Sequence, residues 1–185
     1  MASMALTSGT YALGPASGTL RLRTGRSGLG RRAGHDLTIE VTRWSGEAAI
    51  DLDDPSACAV TAEMDPASFE VVEGGGGVMA LTAADRIEIL KTVREKILKT
   101  RAHPVIRFRS TEVSGTPSAF TIEGELTIMD VTRPVTVHGR ISGERLTGEA
   151  TVVQSRWGIK PYSALFGQLR LADEVKIEFD SEPAG

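Results

Sequence analysis

An all-β, antiparallel chain carrying one α-helix is what the sequence predicts, and three observations lead there. Val, Ile and Thr, which suit a pleated strand, number 14, 11 and 18 among 185 residues, and 20 glycines supply turns and bulges. Short segments alternate apolar and polar residues with period two, as antiparallel strands with one solvated face do. One stretch alone changes clearly to a helical period.

The alternation begins at Thr19-Leu20-Arg21-Leu22-Arg23 and resumes from His35 to Trp44, where Leu37, Ile39 and Val41 oppose Thr38, Glu40 and Thr42. Ser45-Gly46 then reads as a turn into Ala48, Ile50 and Leu52. Asp53-Asp54-Pro55 ends that strand, and Cys58 to Asp65 forms the next. Gly74 to Gly77 costs too much chain entropy for a strand and reads as a loop. From Leu81 to Leu98 the period is helical, with Ile87, Leu90, Val93, Ile97 and Leu98 on one face and Thr82 and Asp85 spaced as a capping box. Its Arg86, Lys91, Arg94, Lys96 and Lys99 outnumber Glu88 and Glu95, which reads first as a solvated basic face. Strands return after Pro104 as Val105 to Val113, Ala119 to Met129, Val131 to Ile141, Arg145 to Val153 and Leu169 to Asp180. Thr132-Arg133-Pro134 reads as a turn. So many strands would leave exposed edges in an open sheet, which favours a barrel. No change of composition marks a second domain; residues 10–182 form the barrel and 1–9 a flexible N-terminus.

Charge narrows the function. The formal net charge of -3 provides no basic field, so nucleic acid drops to a minor hypothesis and is not expected as a partner. Arg21, Arg23, Arg26, Arg31 and Arg32 fall in one stretch without an acid, and eight acids fall between Glu47 and Glu73 without a base. A basic rim suited to an anionic head group and compensation between neighbouring strands both account for this. Met1 to Gly9 shows no secretory pattern, no apolar run reaches the ~18 residues of a membrane span, and the only cysteine, Cys58, has no partner. A cytoplasmic place is therefore expected, with Cys58 a small buried thiol.

From Glu123 the sequence runs EGELTIMDVTRPVTV, and this passage resembles the YceI-like family. Further blocks agree in order: Asp51 to Met64 with Pro66-Ala67-Ser68-Phe69-Glu70, His103 to Thr111, and Ser155-Arg156-Trp157-Gly158-Ile159. Arg32 to Leu37, RAGHDL, is similar to a branch carrying Gly-His-Asp. The resemblance implies an elongated, lipocalin-like antiparallel barrel whose lumen holds a long apolar chain, such as a polyisoprenoid, an isoprenoid quinone or a fatty acyl group. A barrel of about eight strands has room for one small ligand.

On the inward phase, the expected lumen residues are Leu37, Ile39, Ile50, Leu52, Phe108, Ile122, Leu126, Ile128, Val137, Ile141 and Ile177. His35, beside Asp36, reads as a hydrogen-bond partner for a head group or as a satisfied strand cap. Trp157 reads as a cover for the barrel mouth or as a core plug, and Phe166 as a lid or a membrane-dipping tip. His103 and His138 read as structural and solvated, and no spacing suits a metal. No activated nucleophile, carboxylate pair or phosphate loop is legible, and no cofactor is expected. The leading expectation is a non-enzymatic carrier or store for a long apolar ligand. Two rivals stay open: an enzyme on a lipid-like substrate with His35 as base, and a packed barrel that docks a partner through the Arg86 to Lys99 helix. Pairing of two barrels and transient membrane contact are left open as well. With aromatics at only 5%, a hollow centre is expected.

Overall fold

A computed structural model of the chain describes residues 5–26, 36–75, 81–160, 163–164 and 169–183. Its strands are β1 (Gly9–Leu13), β2 (Gly18–Arg26), β3 (Asp36–Val41), β4 (Trp44–Ile50), β5 (Ala59–Met64), β6 (Phe69–Gly75), β7 (Ile106–Thr116), β8 (Ala119–Ile128), β9 (Val131–Ser142), β10 (Arg145–Val153), β11 (Ser163–Ala164) and β12 (Leu169–Ser181). One helix, α1 (Ala83–Thr92), runs on into a π-helical turn at Val93–Ile97. All strand pairs are antiparallel, in the order β1-β4-β5-β7-β8-β9-β10-β12-β2-β3-β6, with β11 beside β12.

The predicted class holds, but the ordered path contains eleven strands where about eight were expected. Bends account for the difference. β1 runs into β2 through Gly14–Ser17, β3 into β4 through Thr42-Arg43, and β5 into β6 through Asp65–Ser68, so three long strands are each counted twice. The path curls into a half-barrel whose ladder ends, β1 and β6, share no ladder; the bent strands connect them through the chain itself. Hydrogen bonds fix the bend between β3–β4 and β5–β6: Thr42 N–H and Oγ1 donate to Ser68 O, and Arg43 N–H donates to Ser68 Oγ at 2.9 Å. Arg43 also pairs with Asp65 at 2.8 Å.

Local differences from the sequence expectation have identifiable causes. Ser45-Gly46 is not a turn but lies inside β4, opposite Glu63 and Ala62, because the bend falls earlier at Thr42-Arg43. Gly74 and Gly75 are paired strand rather than loop, held opposite Leu37 and Asp36. Thr132-Arg133-Pro134 is not a turn either. Met129 and Asp130 make it, both with positive φ (47° and 63°), the geometry of a two-residue hairpin whose twist matches its strands. Pro134 pairs with Glu125 where β9 extends past the reach of β10, so the hydrogen bond it cannot donate is not required.

The capping box of α1 is present, Thr82 and Asp85 each accepting the other's backbone N–H. Its basic residues divide. Lys91, Lys96 and Lys99 are exposed, whereas Arg86 donates to Val71 O at 3.3 Å and Arg94 to Phe69 O at 3.2 Å. Both carbonyls belong to β6, the last strand of the order, so the helix covers an edge that would otherwise be open to another chain. Ile89, Val93 and Leu98 are buried in the core, while Ile87 is 68% exposed.

Some of the charges that are segregated along the chain are compensated across strands. Arg23 meets Glu178 at 3.0 Å, Glu63 meets Arg107 at 3.1 Å, and Arg109 meets Glu125 at 3.2 Å, all on the outer face. Arg145 grips Asp180 with two guanidinium nitrogens, and that hydrogen bond holds the Asp180 carboxyl below the usual carboxylate range. A depressed carboxyl contributes stability above its unfolded value of about 3.9 and loses it as pH falls through the folded value. Asp180→Asn should therefore lower the urea midpoint at neutral pH and match the parent in strong acid; equal differences at both extremes would count against the pair. The effect should be small, because both groups face solvent.

Candidate functional site

Because consecutive strands alternate direction, the connections sort to two ends. One, the turn end, gathers the Pro55–Ala57 loop, the Pro117-Ser118 and Gly143-Glu144 turns and the N-terminal segment. Leu6 is buried there, its N–H donating to Gly143 O at 2.9 Å. The other, the helix end, gathers α1, the Met129-Asp130 turn and a 3-10 turn at Gln154–Trp157.

Protein fills the lumen at the helix end. Leu37, Ile39, Val41, Phe69, Ile89, Val152 and Trp157 pack into one core there, and Trp157 is 3% exposed with its indole N–H donating to Leu126 O at 3.0 Å. Towards the turn end the same inward phase borders a cavity of about 200 Å³. Leu13, Leu20, Trp44, Ala48, Val60, Met64, Val113, Phe120, Val135, Leu146 and Phe179 contribute to its apolar wall, and Leu52, Pro55, Cys58 and Gly115 to Pro117 carry it to the turns. Trp44 stands edge to face with Phe179, centroids 5.8 Å apart, and its buried indole N–H finds no acceptor among the described residues. An engineered apolar cavity of ~150 Å³ stays dry and admits benzene, so a void of this size and lining suits an apolar group better than water.

The residues expected in the lumen divide by height. Ile50, Leu52, Phe108, Ile122, Leu126, Val137, Ile141 and Ile177 stand together on the cavity wall. Leu37, Ile39, Ile128 and Trp157 are in the packed core, away from that wall. Trp157 lies at the end opposite the one the cavity reaches. His35 and Phe166 fall outside the described residues. Trp44, Phe120 and Phe179 were missed, although each sits on the apolar phase of an alternating strand; only that phase could have singled them out. Cys58 is half-buried rather than buried, its sulfur accepting from Asp51 N–H at 3.2 Å and donating back to Asp51 O. His138 is exposed, and His103 meets Asp130 at 3.4 Å. Among the described residues no group of His, Cys, Asp and Glu is placed to hold a metal, and no helix is long and apolar enough to cross a membrane.

A curled antiparallel sheet, packed at one end and hollow towards the other, defines a barrel-like β-protein with an apolar cavity between its strands. The chain belongs to the YceI-like family, whose domain pattern matches residues 11–182. No curated protein matches it. Among solved structures, Burkholderia cenocepacia BcnA is similar at 16% identity and a TM-score of 0.65, over 88% of this chain and 94% of that one. A polyisoprenoid binding domain from Saccharophagus degradans, implicated in plant cell wall breakdown, is similar at 11% identity and a TM-score of 0.56, over 94% of this chain and 98% of that one. The Campylobacter jejuni YCEI protein is similar at 11% identity and a TM-score of 0.60, over 80% and 84%. At these identities the likeness is one of fold.

Proposed function

We propose that this chain binds an apolar chain-like molecule, an isoprenoid, an isoprenoid quinone or a fatty acyl group, in the cavity and stores or carries it without chemical change. The observation that carries the reading is the cavity of about 200 Å³ with its continuous apolar wall. Burial supplies the affinity, at about 0.8 kcal/mol for each methylene taken out of water. The fold shared with a polyisoprenoid binding domain supports the same reading. Loading and release through brief contact with a membrane surface suits a cavity that reaches one end of the barrel, and the single free thiol, Cys58, suits a cytoplasmic place of action.

Native protein extracted with organic solvent should yield an isoprenoid or acyl species by mass spectrometry, in an amount approaching one per chain. Protein that is consistently empty and also fails to take up acyl or isoprenoid probes would overturn the reading.

A further inference from the structure

Four of the nine aromatic residues in the chain, Trp44, Phe108, Phe120 and Phe179, border the cavity. Two of them are seated in a particular way. Phe120 on β8 stands opposite Gly139 on β9, and a Cβ at Gly139 would come within 2.6 Å of the Phe120 Cε2 and Cζ atoms. Phe108 on β7 reaches across to Gly124 on β8, where a Cβ would come within 2.5 Å of the same two ring atoms. Each ring thus occupies space that any other residue type on the neighbouring strand would take, a known way for an aromatic to cover a glycine in a sheet. Both phenylalanines are half-buried although they face the interior. Beyond them, towards the helix end, the same phase is filled solid, with Leu37 at 1% and Ile39 at 4% exposure.

We propose that the Phe108–Gly124 and Phe120–Gly139 pairs set the breadth and depth of the cavity, so that it takes in only the end of an apolar chain and leaves the rest of a longer ligand outside. Scaled from the ~150 Å³ that holds benzene, the cavity of about 200 Å³ accommodates about eight carbons. The glycines let the rings lie back against the wall. A Cβ at Gly124 would also come within 2.8 Å of Arg109 O and one at Gly139 within 2.7 Å of Thr147 O, so a side chain at either place displaces the neighbouring strand as well as the ring. The proposal rests on the ligand-binding reading above and adds the residues that limit the length held.

The test is calorimetric titration of the full chain with straight-chain primary alcohols from hexan-1-ol to tetradecan-1-ol. Affinity should rise about fourfold with each methylene up to about eight carbons and then level off. Phe108→Ala should move the break at least two carbons longer, and Phe120→Ala should move it in the same direction. Phe108→Leu, a milder enlargement, should move it longer by less and keeps the test open should an alanine variant fold poorly. Affinity that climbs without a break to tetradecan-1-ol, or a break at one length in the parent and every folded variant, would overturn the proposal while leaving ligand binding intact. Failure to bind any alcohol would overturn both.

Discussion

Replacing Trp157 with alanine should lower the melting temperature by roughly 10 °C and leave the affinity for apolar probes within about threefold of the parent. The side chain is 3% exposed, packs among the buried residues of the helix end and donates its indole N–H to Leu126 O. Deleting a buried Trp costs about 3–5 kcal/mol, and in a domain of this size each kcal/mol shifts the midpoint by about 2–4 °C. Leaving Leu126 O without its donor adds to the loss. Trp157→Phe separates the two contributions, since it keeps most of the ring volume and removes only the hydrogen bond; it should cost about 1–3 kcal/mol. Thermal unfolding and probe titration on the same samples settle the matter. Lost binding at an unchanged midpoint would make Trp157 a cover for the cavity mouth, as its loop position in the sequence also allowed.

That contrast shows where the sequence was informative and where it was not. Period-two alternation assigns the inward face of β3, β4, β8 and β12, because adjacent side chains in a strand point to opposite sides whatever their surroundings. It carries no information about height along the barrel. Ile39 and Ile50 lie on one bent strand and are equally apolar, yet Ile39 is buried in the packed core and Ile50 borders the cavity. Ile89, Val93 and Leu98, more than 30 residues further along the chain, belong to that same packed core. The bends were hidden for a similar reason: nothing in the sequence marks Thr42 and Ser68, 26 residues apart, as partners until the fold brings them together to bond. Low aromatic content suggested a hollow centre, and a cavity is present, but the rings are concentrated around it rather than missing from it.

Ile177→Asp should weaken the binding of an apolar probe by about 100-fold or more, whereas Glu178→Gln, one residue further along β12, should leave it within about twofold. Ile177 pairs with Leu22 and Ala150 and borders the cavity, while Glu178 turns outward to Arg23 at 3.0 Å. A carboxylate on the cavity wall must either lose its water to the ligand or hold water where the ligand would lie. Burying even a neutral polar group without a partner costs about 1–3 kcal/mol, and an ionised one costs more. Burial also raises a carboxyl's pKa, because the charged form is the one desolvated. Binding to Ile177→Asp should therefore recover as pH falls through that raised value and the group becomes neutral. The parent, with no titratable group at this position, should show no such recovery. Equal losses in the two variants would mean that the Ile177 face of β12 does not meet the ligand, and the cavity would then lose its place as the binding site even if the chain still binds an apolar molecule elsewhere.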